Sequence, residues 1–548
     1  MINLSAHSQS YNSAKDWKMD TLQSLVLTHV NEIASGFDSL HNKDRINALI
    51  SIPKFYELRN HQPVWVTDSC LSDNTFELLW EIEEADLEGL NPNDYHFDRM
   101  YEMFENALDY TLSFEEKLLD LVHLELLLTD AYLVYANHLY EGKVCPDTYD
   151  LDWEVECDKR LSFASHLDSA INNNNLTESL ELLKPKHYEY ARLKIALIRL
   201  KEYAPAAEFE LLEMETKKIE YGDSTELISK IKKRLAYWNH LNLINELDSN
   251  VFDSTMHFAV IDFQDVNGLE ADGIVGKNTL EALNNPFDRY AELVKLNMDR
   301  WRWLPNKFAA DHVKVNIADY KMEVVENNQV VDIYNVIVGK IARKTPVFND
   351  QMTYVEFNPY WTVPKGILGR DVLPSVRKNT NYLAKKNFKV VASDGSFVDP
   401  NLIDWQSTTA SNFPYRIRQD PGKTNSLGLV KFMFPNKYNV YIHDTPKKSL
   451  FKKRERAYSS GCVRVENPEK FATYLMQKMD PTFTVDSVYS IWESGKNTRV
   501  VLDKPLDVYI LYFTAIANDN GNVFLRNDIY GRDKKLINLF NEPVYGLY

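Results

Sequence analysis

Tyr441-Ile442-His443-Asp444-Thr445-Pro446, a Lys/Arg-rich loop from Lys447 to Arg456, and Ser459-Ser460-Gly461-Cys462-Val463-Arg464-Val465 together contain what an acyl-transfer nucleophile needs. A thiol at its ordinary pKa of about 8.5 is mostly protonated at neutral pH and needs a base or a cationic neighbour to become a thiolate. His443 supplies both roles, and only 19 positions separate it from Cys462. Gly461 removes a side chain just before the thiol, so the amides there are expected to serve a developing oxyanion. Arg464 either pairs with a carboxylate or holds the loop in shape. A lone free cysteine is most often a small buried hydrophobe. That reading fails here because His, Gly, Cys and Arg occur together. No C-x-x-C or H-x-x-x-H pair stands nearby, so neither a metal nor a cofactor is expected.

Strand alternation puts Tyr441 and His443 on one face and Asp444 on the other. Asp444 is therefore a poor candidate to orient the imidazole, and a backbone carbonyl near Ser459–Gly461 is the expected partner. Tyr441, on the histidine's face, is expected to shape the donor site.

Working outward, 548 residues are too many for one core and imply two to four domains. The net charge of −17 is uneven. Residues 1–250 hold 45 acidic and 23 basic side chains, a net of −22, and the remainder 34 acidic and 39 basic, a net of +5. A basic catalytic half suits an anionic polymer substrate, and a solvated acidic helical face accounts for the rest. The most apolar helical run, Leu121 to Tyr140, contains Glu125 and Asp130 and reads as a buried helix, not a membrane span. The first residues show neither a charged n-region nor an apolar h-region, so an exported protein would have had its signal removed. Of Cys70, Cys145, Cys157 and Cys462, the second and third are near enough in sequence to bridge, which spacing alone leaves open.

Three- and four-residue apolar spacing marks residues 20–225 as helical. His96, after a turn, is expected to be a structural hydrogen-bonder. Residues 226–287 form a separate unit in which Phe263-Gln264, Gly268-Leu269 and Asp272-Gly273 precede a helix from Thr279 to Leu283. Trp301 and Trp303 close a connecting helix over 288–310 and are expected to pack in a core. Strands are expected at 313–317, 321–325, 331–338, 352–357, 427–434, 438–443, 508–516 and 522–528, interrupted by a mixed insertion over 366–420.

The pair H-D-T-P and S-S-G-C-V-R-V resembles the catalytic motif of L,D-transpeptidases of the YkuD type, in the long, multidomain YcbB-like branch. Many relatives carry S-H-G-C, where this chain has Ser460. The F-Q, G-L and D-G-x-x-G-x-x-T series resembles a three-helix peptidoglycan-binding module. Phe55 to Arg59, Pro63 to Trp65 and Gly89 to His96 are similar to the branch's N-terminal scaffold, and Phe357 to Pro364 and Asp528 to Gly531 are family-like too. The resemblance implies a multidomain α+β protein. A helical scaffold (1–225), a peptidoglycan-binding module (226–287) and a connecting helix (288–310) would precede a mostly-β catalytic domain (311–548) with a capping subdomain inserted at 366–420. It further implies a Cys462 thioester, His443 as general base, substrate contacts at Tyr441, Thr445, Ser459, Ser460 and Trp361, and 3-3 cross-links between stem peptides with release of D-alanine. Carbapenem-type β-lactams would inhibit, and the site of action would be the Gram-negative periplasm. L,D-carboxypeptidase action and a catalytically silent wall-binding scaffold are the alternatives.

Overall fold

Helices dominate the first part of the chain because its apolar residues recur on one helical face. The computed structural model describes residues 19–40, 44–67, 71–109, 111, 114–146, 153–155, 161–203, 210–238, 240–241 and 249–544. Their helices are α1 (Met19–Ala34), α2 (Ser51–Leu58), α3 (Asp73–Glu83), α4 (Phe97–Leu108), α5 (Phe114–Glu141), α6 (Phe163–Asn173), α7 (Leu176–Leu183) and α8 (Tyr188–Tyr203). The expected buried helix is α5, and its Glu125 and Asp130 carboxylates are fully enclosed. Glu125 accepts from the Val64, Trp65 and Val66 amides at 2.8–3.1 Å and from the Tyr56 hydroxyl at 2.9 Å. Asp130 accepts from Asn47 and Ala48 amides and faces His96 at 2.7 Å, which makes His96 structural, as its place after a turn suggests.

Three helices follow: α9 (Glu226–Tyr237), α10 (Ser254–Val266) and α11 (Lys277–Leu283). Thr225 and Asp253 cap the first two by accepting from the Leu227 and Met256 amides. The conspicuous Phe-Gln and Asp-Gly pairs meet through one side chain. Gln264 accepts from the Gly273 amide at 2.8 Å and donates to the Ile274 carbonyl at 2.8 Å, pinning the turn in which Gly273 adopts φ +72°. The connecting helix α12 (Phe287–Arg302) buries Trp301, with Trp303 buried just beyond it.

The strands are β1 (Trp153–Glu154), β2 (His312–Asn316), β3 (Lys321–Glu326), β4 (Gln329–Gly339), β5 (Val347–Phe357), β6 (Trp361–Thr362), β7 (Lys389–Val391), β8 (Phe397–Val398), β9 (Arg416–Gln419), β10 (Val430–Met433), β11 (Ile442–His443), β12 (Ala457–Ser459), β13 (Val463–Val465), β14 (Thr498–Leu511), β15 (Ala515–Ala517) and β16 (Val523–Leu525). The main sheet runs β5-β10-β11-β13-β4-β3-β2-β14, and β14 pairs back with β5, so the sheet closes on itself. β1 and β12 attach to β5 and β4. Between β5 and β10 a second sheet, β6-β9-β7-β8, packs with short helices around Leu373, Val390, Trp405 and Ile417 as its own core.

Two placements differ from the periodicity. The described residues of 1–151, 156–307 and 514–548 form one unit, and those of 152–155 and 308–513 form the other. Trp153 and Glu154, inside a stretch expected to be helical, thus supply a strand to the main sheet. The last strands, β15 and β16, pair only with each other, in the first unit, and not with the catalytic sheet. The cause is capture of Thr514 by α12. Its amide donates to Asn297, and its hydroxyl accepts from Asn297 and Arg300 at 3.1 Å each.

Candidate active site

β11 and β13 run parallel, with Ile442 opposite Val463 and His443 opposite Arg464. The Val463 amide donates to the Tyr441 carbonyl at 3.1 Å, which continues the register to Tyr441 beside Cys462. Alternation then puts Tyr441, His443, Cys462 and Arg464 on one face. A short sequence gap thus becomes a lateral neighbourhood because two adjacent strands carry its ends.

The loop that carries Cys462 is tied from several directions. Ser459 Oγ donates to the Cys462 carbonyl at 2.6 Å and accepts from the Gly461 amide at 3.0 Å. Gly461 sits at φ +120°, a conformation that side chains rarely adopt. Its carbonyl accepts from Thr345 Oγ1 at 2.8 Å, and Lys340 N donates to the Ser459 carbonyl at 3.2 Å. Arg343 donates through Nη1 to Ser460 Oγ at 2.8 Å and through Nη2 to Asp371 at 2.6 Å. Asp371 belongs to the insertion, so one guanidinium joins the insertion to the residue two before the thiol. Cys462 Sγ itself is 3.8 Å from the Asn439 carbonyl, and Asn439 is a left-handed turn residue at φ +53°.

Sequence spacing pointed to none of Thr345, Arg343 and Asn439. Each reaches the loop through tertiary pairing. The run Pro435-Asn436-Lys437-Tyr438-Asn439 signals a turn, but not what that turn abuts.

The electrostatics separate the roles of base and cation. Burial, with the Arg464 charge adding to it, pulls the His443 imidazole down to about 3, against the Asp444 and Leu427 carbonyls. The ring is therefore neutral at pH 7 and a weak base in this resting arrangement, and it is not the thiol's cationic neighbour. Burial pushes the Cys462 thiol up, and the Tyr441 amide, the Arg464 charge and the Tyr441 hydroxyl pull it back. Arg464 is the cation of the site, and its Nε is buried without a hydrogen-bond partner. No ion pair to Arg464 occurs among the described residues. Tyr441 is also held by the Trp361 side chain, and its own pKa is raised by burial and by Cys462. No hydrogen bond joins His443 to Cys462 in this resting arrangement, where His443 is only 4% exposed.

Several expectations need revision on this geometry. The carbonyl that faces the imidazole is that of Asp444, 2.5 Å from Nδ1, and not one in Ser459–Gly461. The Asp444 carboxylate, as alternation requires, turns away: it accepts from the Leu429 and Thr445 amides and pairs with Lys448. The Gly461 amide is occupied by Ser459, which leaves the Cys462 amide, unpartnered among the described residues, as the nearby donor for an oxyanion. Thr445 and Ser459 are 1% and 2% exposed and hold turns, so neither is open to a substrate in this arrangement. Ser460 is exposed and Trp361 partly so. Cys145 is free and exposed, while Cys70 and Cys157 lie outside the described residues.

Comparison with known proteins follows this division. Residues 310–501 match the L,D-transpeptidase catalytic domain, residues 224–283 a putative peptidoglycan-binding domain, and residues 51–197 a scaffold domain. A putative L,D-transpeptidase of Haemophilus influenzae is 35% identical over 241 residues, 44% of this chain and 48% of that protein. The chain thus spans about half the length of that curated relative. Among solved structures, an L,D-transpeptidase from Xylanimonas cellulosilytica aligns at 15% identity over 55% of this chain and all of its own, with a TM-score of 0.18. A fused zinc-dependent amidase/peptidase/peptidoglycan-binding protein from Clostridium acetobutylicum aligns at 12% over 54% of this chain and all of its own, with a TM-score of 0.14. Neither likeness is strong enough to bear on the fold. Among the described residues no helix is long and apolar enough to cross a membrane. The chain thus carries a YkuD-type L,D-transpeptidase catalytic domain over residues 310–501, together with a scaffold domain and a putative peptidoglycan-binding domain.

Proposed function

We propose that this chain forms 3-3 cross-links in peptidoglycan by way of a Cys462 thioester. The observation that supports it most is the shared face of Tyr441, His443, Cys462 and Arg464 on β11 and β13 inside an L,D-transpeptidase domain. Neutral His443 takes the thiol proton, and the thiolate attacks the carbonyl between the third and fourth residues of a tetrapeptide stem. The carbon–sulfur bond forms, the amide carbon–nitrogen bond breaks, and the proton passes from the imidazolium to the leaving D-alanine amine. The side-chain amine of a second stem's diamino acid then attacks the thioester, its proton returns through His443, and the thiol is released. Arg464 stabilises the thiolate alongside the imidazolium that the proton transfer creates. The Cys462 amide receives the oxyanion. The His443–Cys462 hydrogen bond forms only with the donor bound, as catalytic hydrogen bonds often tighten in the complex.

Under this reading the insertion covers the cleft and keeps water from the thioester, and water in place of the amine would give an L,D-carboxypeptidase. Carbapenem-type β-lactams acylate the same sulfur, and the protein works outside the cytoplasm, in the periplasm of a Gram-negative envelope. Incubation with purified tetrapeptide muropeptides, followed by chromatography and mass analysis, tests it. Dimers linked third residue to third residue with free D-alanine are expected. Tripeptide monomers alone would establish the carboxypeptidase instead. No product, together with a Cys462 no more reactive than Cys145, would leave a silent wall-binding scaffold.

A further inference from the structure

We infer that a cleft beside the three-helix module binds a single N-acetylated sugar ring of the glycan strand; this rests on the reading of that module as peptidoglycan-binding. The module's core is closed around Ile231, Leu235, Phe252 and Val260. Outside that core, Trp238 at the end of α9 lies with its ring centre 4.3 Å from that of Tyr290 on α12, inclined by 41°. These rings, with Phe263 and Phe524, line a cavity of about 190 Å³. Pockets for drug-sized ligands run to about 300–1,000 Å³, so this one has room for one ring and not for a chain.

The rim is polar and comes from four parts of the chain. Asp262, 64% exposed, pairs with His240 on the module. Arg199 of α8 donates to Asn522 Oδ1 at 3.1 Å across the turn between β15 and β16. Asn267 accepts from the Tyr290 hydroxyl. A pyranose presents a C–H face that packs on aromatic rings and hydroxyls that need fixed polar partners, and an acetamido group matches a primary amide in both donor and acceptor.

Two glycines show that the walls are set in place. A Cβ on Gly268 would lie 2.8 Å from the Leu525 carbonyl, and one on Gly521 would lie 2.9 Å from Ile195 and 3.0 Å from Arg199. The hairpin is therefore held closely against both the module and α8. Gly268 belongs to the Gly-Leu pair of the module's sequence signature, and its approach to the hairpin is a reason for a glycine there. Arg199, Tyr290 and Asn522 lie outside residues 226–287, so the excised module would lack half of the site.

The test uses the full chain. Retention on purified sacculi is measured for wild type, Trp238→Ala, Trp238→Phe and Asn522→Ala, with free N-acetylglucosaminyl-N-acetylmuramic acid as competitor. Trp238→Ala is expected to weaken retention about tenfold and Asn522→Ala about threefold. Trp238→Phe, which keeps an aromatic face, should stay near wild type, and the disaccharide should displace the wild-type protein. Labelling of Cys462 by a small thiol reagent should be the same in all four. Unchanged retention in both alanine variants, or no displacement by the disaccharide, overturns the assignment. If Trp238→Ala loses its cooperative melting transition, Asn522→Ala on the hairpin decides alone. Wild-type protein that is not retained on sacculi at all overturns the module's peptidoglycan reading instead, and this site with it.

Discussion

Glu125 in the scaffold is fully buried and Arg464 in the catalytic sheet is partly buried with its Nε enclosed, and the two ionisable groups are treated in opposite ways. Around Glu125 three backbone amides and a tyrosine hydroxyl share the two carboxylate oxygens. Arg464 has a buried Nε with no partner and no carboxylate within ion-pair distance among the described residues. A buried polar group that is fully hydrogen-bonded organises the chain around it, and removing it strands its partners. One left without partners costs stability and is retained where something transient uses it. On the proposed mechanism the transient partner is the thiolate of Cys462, two residues away on the same strand face.

The largest expected effect lies at the sulfur. Cys462→Ala should abolish covalent β-lactam adducts in intact-mass spectra, a loss of at least about 10³-fold, while the melting temperature stays near wild type. An adduct that survives would move the nucleophile elsewhere and leave Arg464 without a purpose. His443→Ala should remove most acylation at neutral pH by removing the base.

Glu125→Ala should act the other way, on stability and not on chemistry. Stranding the amides of Val64, Trp65 and Val66 should destabilise the first unit by about 3 kcal/mol or more in urea titrations, with Cys462 labelling unchanged. Burial raises the Glu125 carboxyl from 4.5 to about 7. The folded state thus holds the proton to higher pH than the unfolded chain does. This contribution to stability is full below about pH 4.5 and is lost as pH rises towards 7, by about 3 kcal/mol in all. Glu125→Gln should flatten that dependence. An unchanged slope would mean that the carboxylate is not the group responsible.

Arg464→Ala should lower acylation about 10- to 100-fold while Arg464→Lys restores part of it. The same change should raise the Cys462 pKa further and let that of His443 rise, since the guanidinium opposes both protonated forms. In the wild type the pH–rate profile should follow the thiol, with no inflection near 6.5 from the imidazole. A clear limb there would show that His443 titrates as an ordinary histidine and that the site rests as an ion pair.

The smallest effect is expected at the link between insertion and loop. Arg343→Ala and Asp371→Asn should each slow acylation about 3- to 10-fold, and the double variant should do little more, because both break one connection. Additive losses would mean that Arg343 acts on Ser460 alone.

The sequence by itself singled out Cys462, His443 and Arg464 and put Tyr441 and His443 on one strand face, because a Gly-Cys-x-Arg run and strand alternation are local properties, whereas the β11–β13 register that brings Cys462 to the same face is tertiary. The sequence likewise determined α5, the glutamine-pinned turn of the module and the burial of Trp301 and Trp303, all set by periodicity and turn chemistry. Only the tertiary structure decided which residue is the cation. Burial depends on every element packed against a side chain, and it leaves the His443 ring neutral where the sequence suggested a cationic partner, while Arg464 stays charged. It also decided that the Gly461 amide is taken by Ser459, that Arg343 and Thr345 from the β4–β5 connection brace the loop, and that Thr514 is captured by α12. Each of these is a hydrogen bond made across the fold, between residues that no local pattern connects.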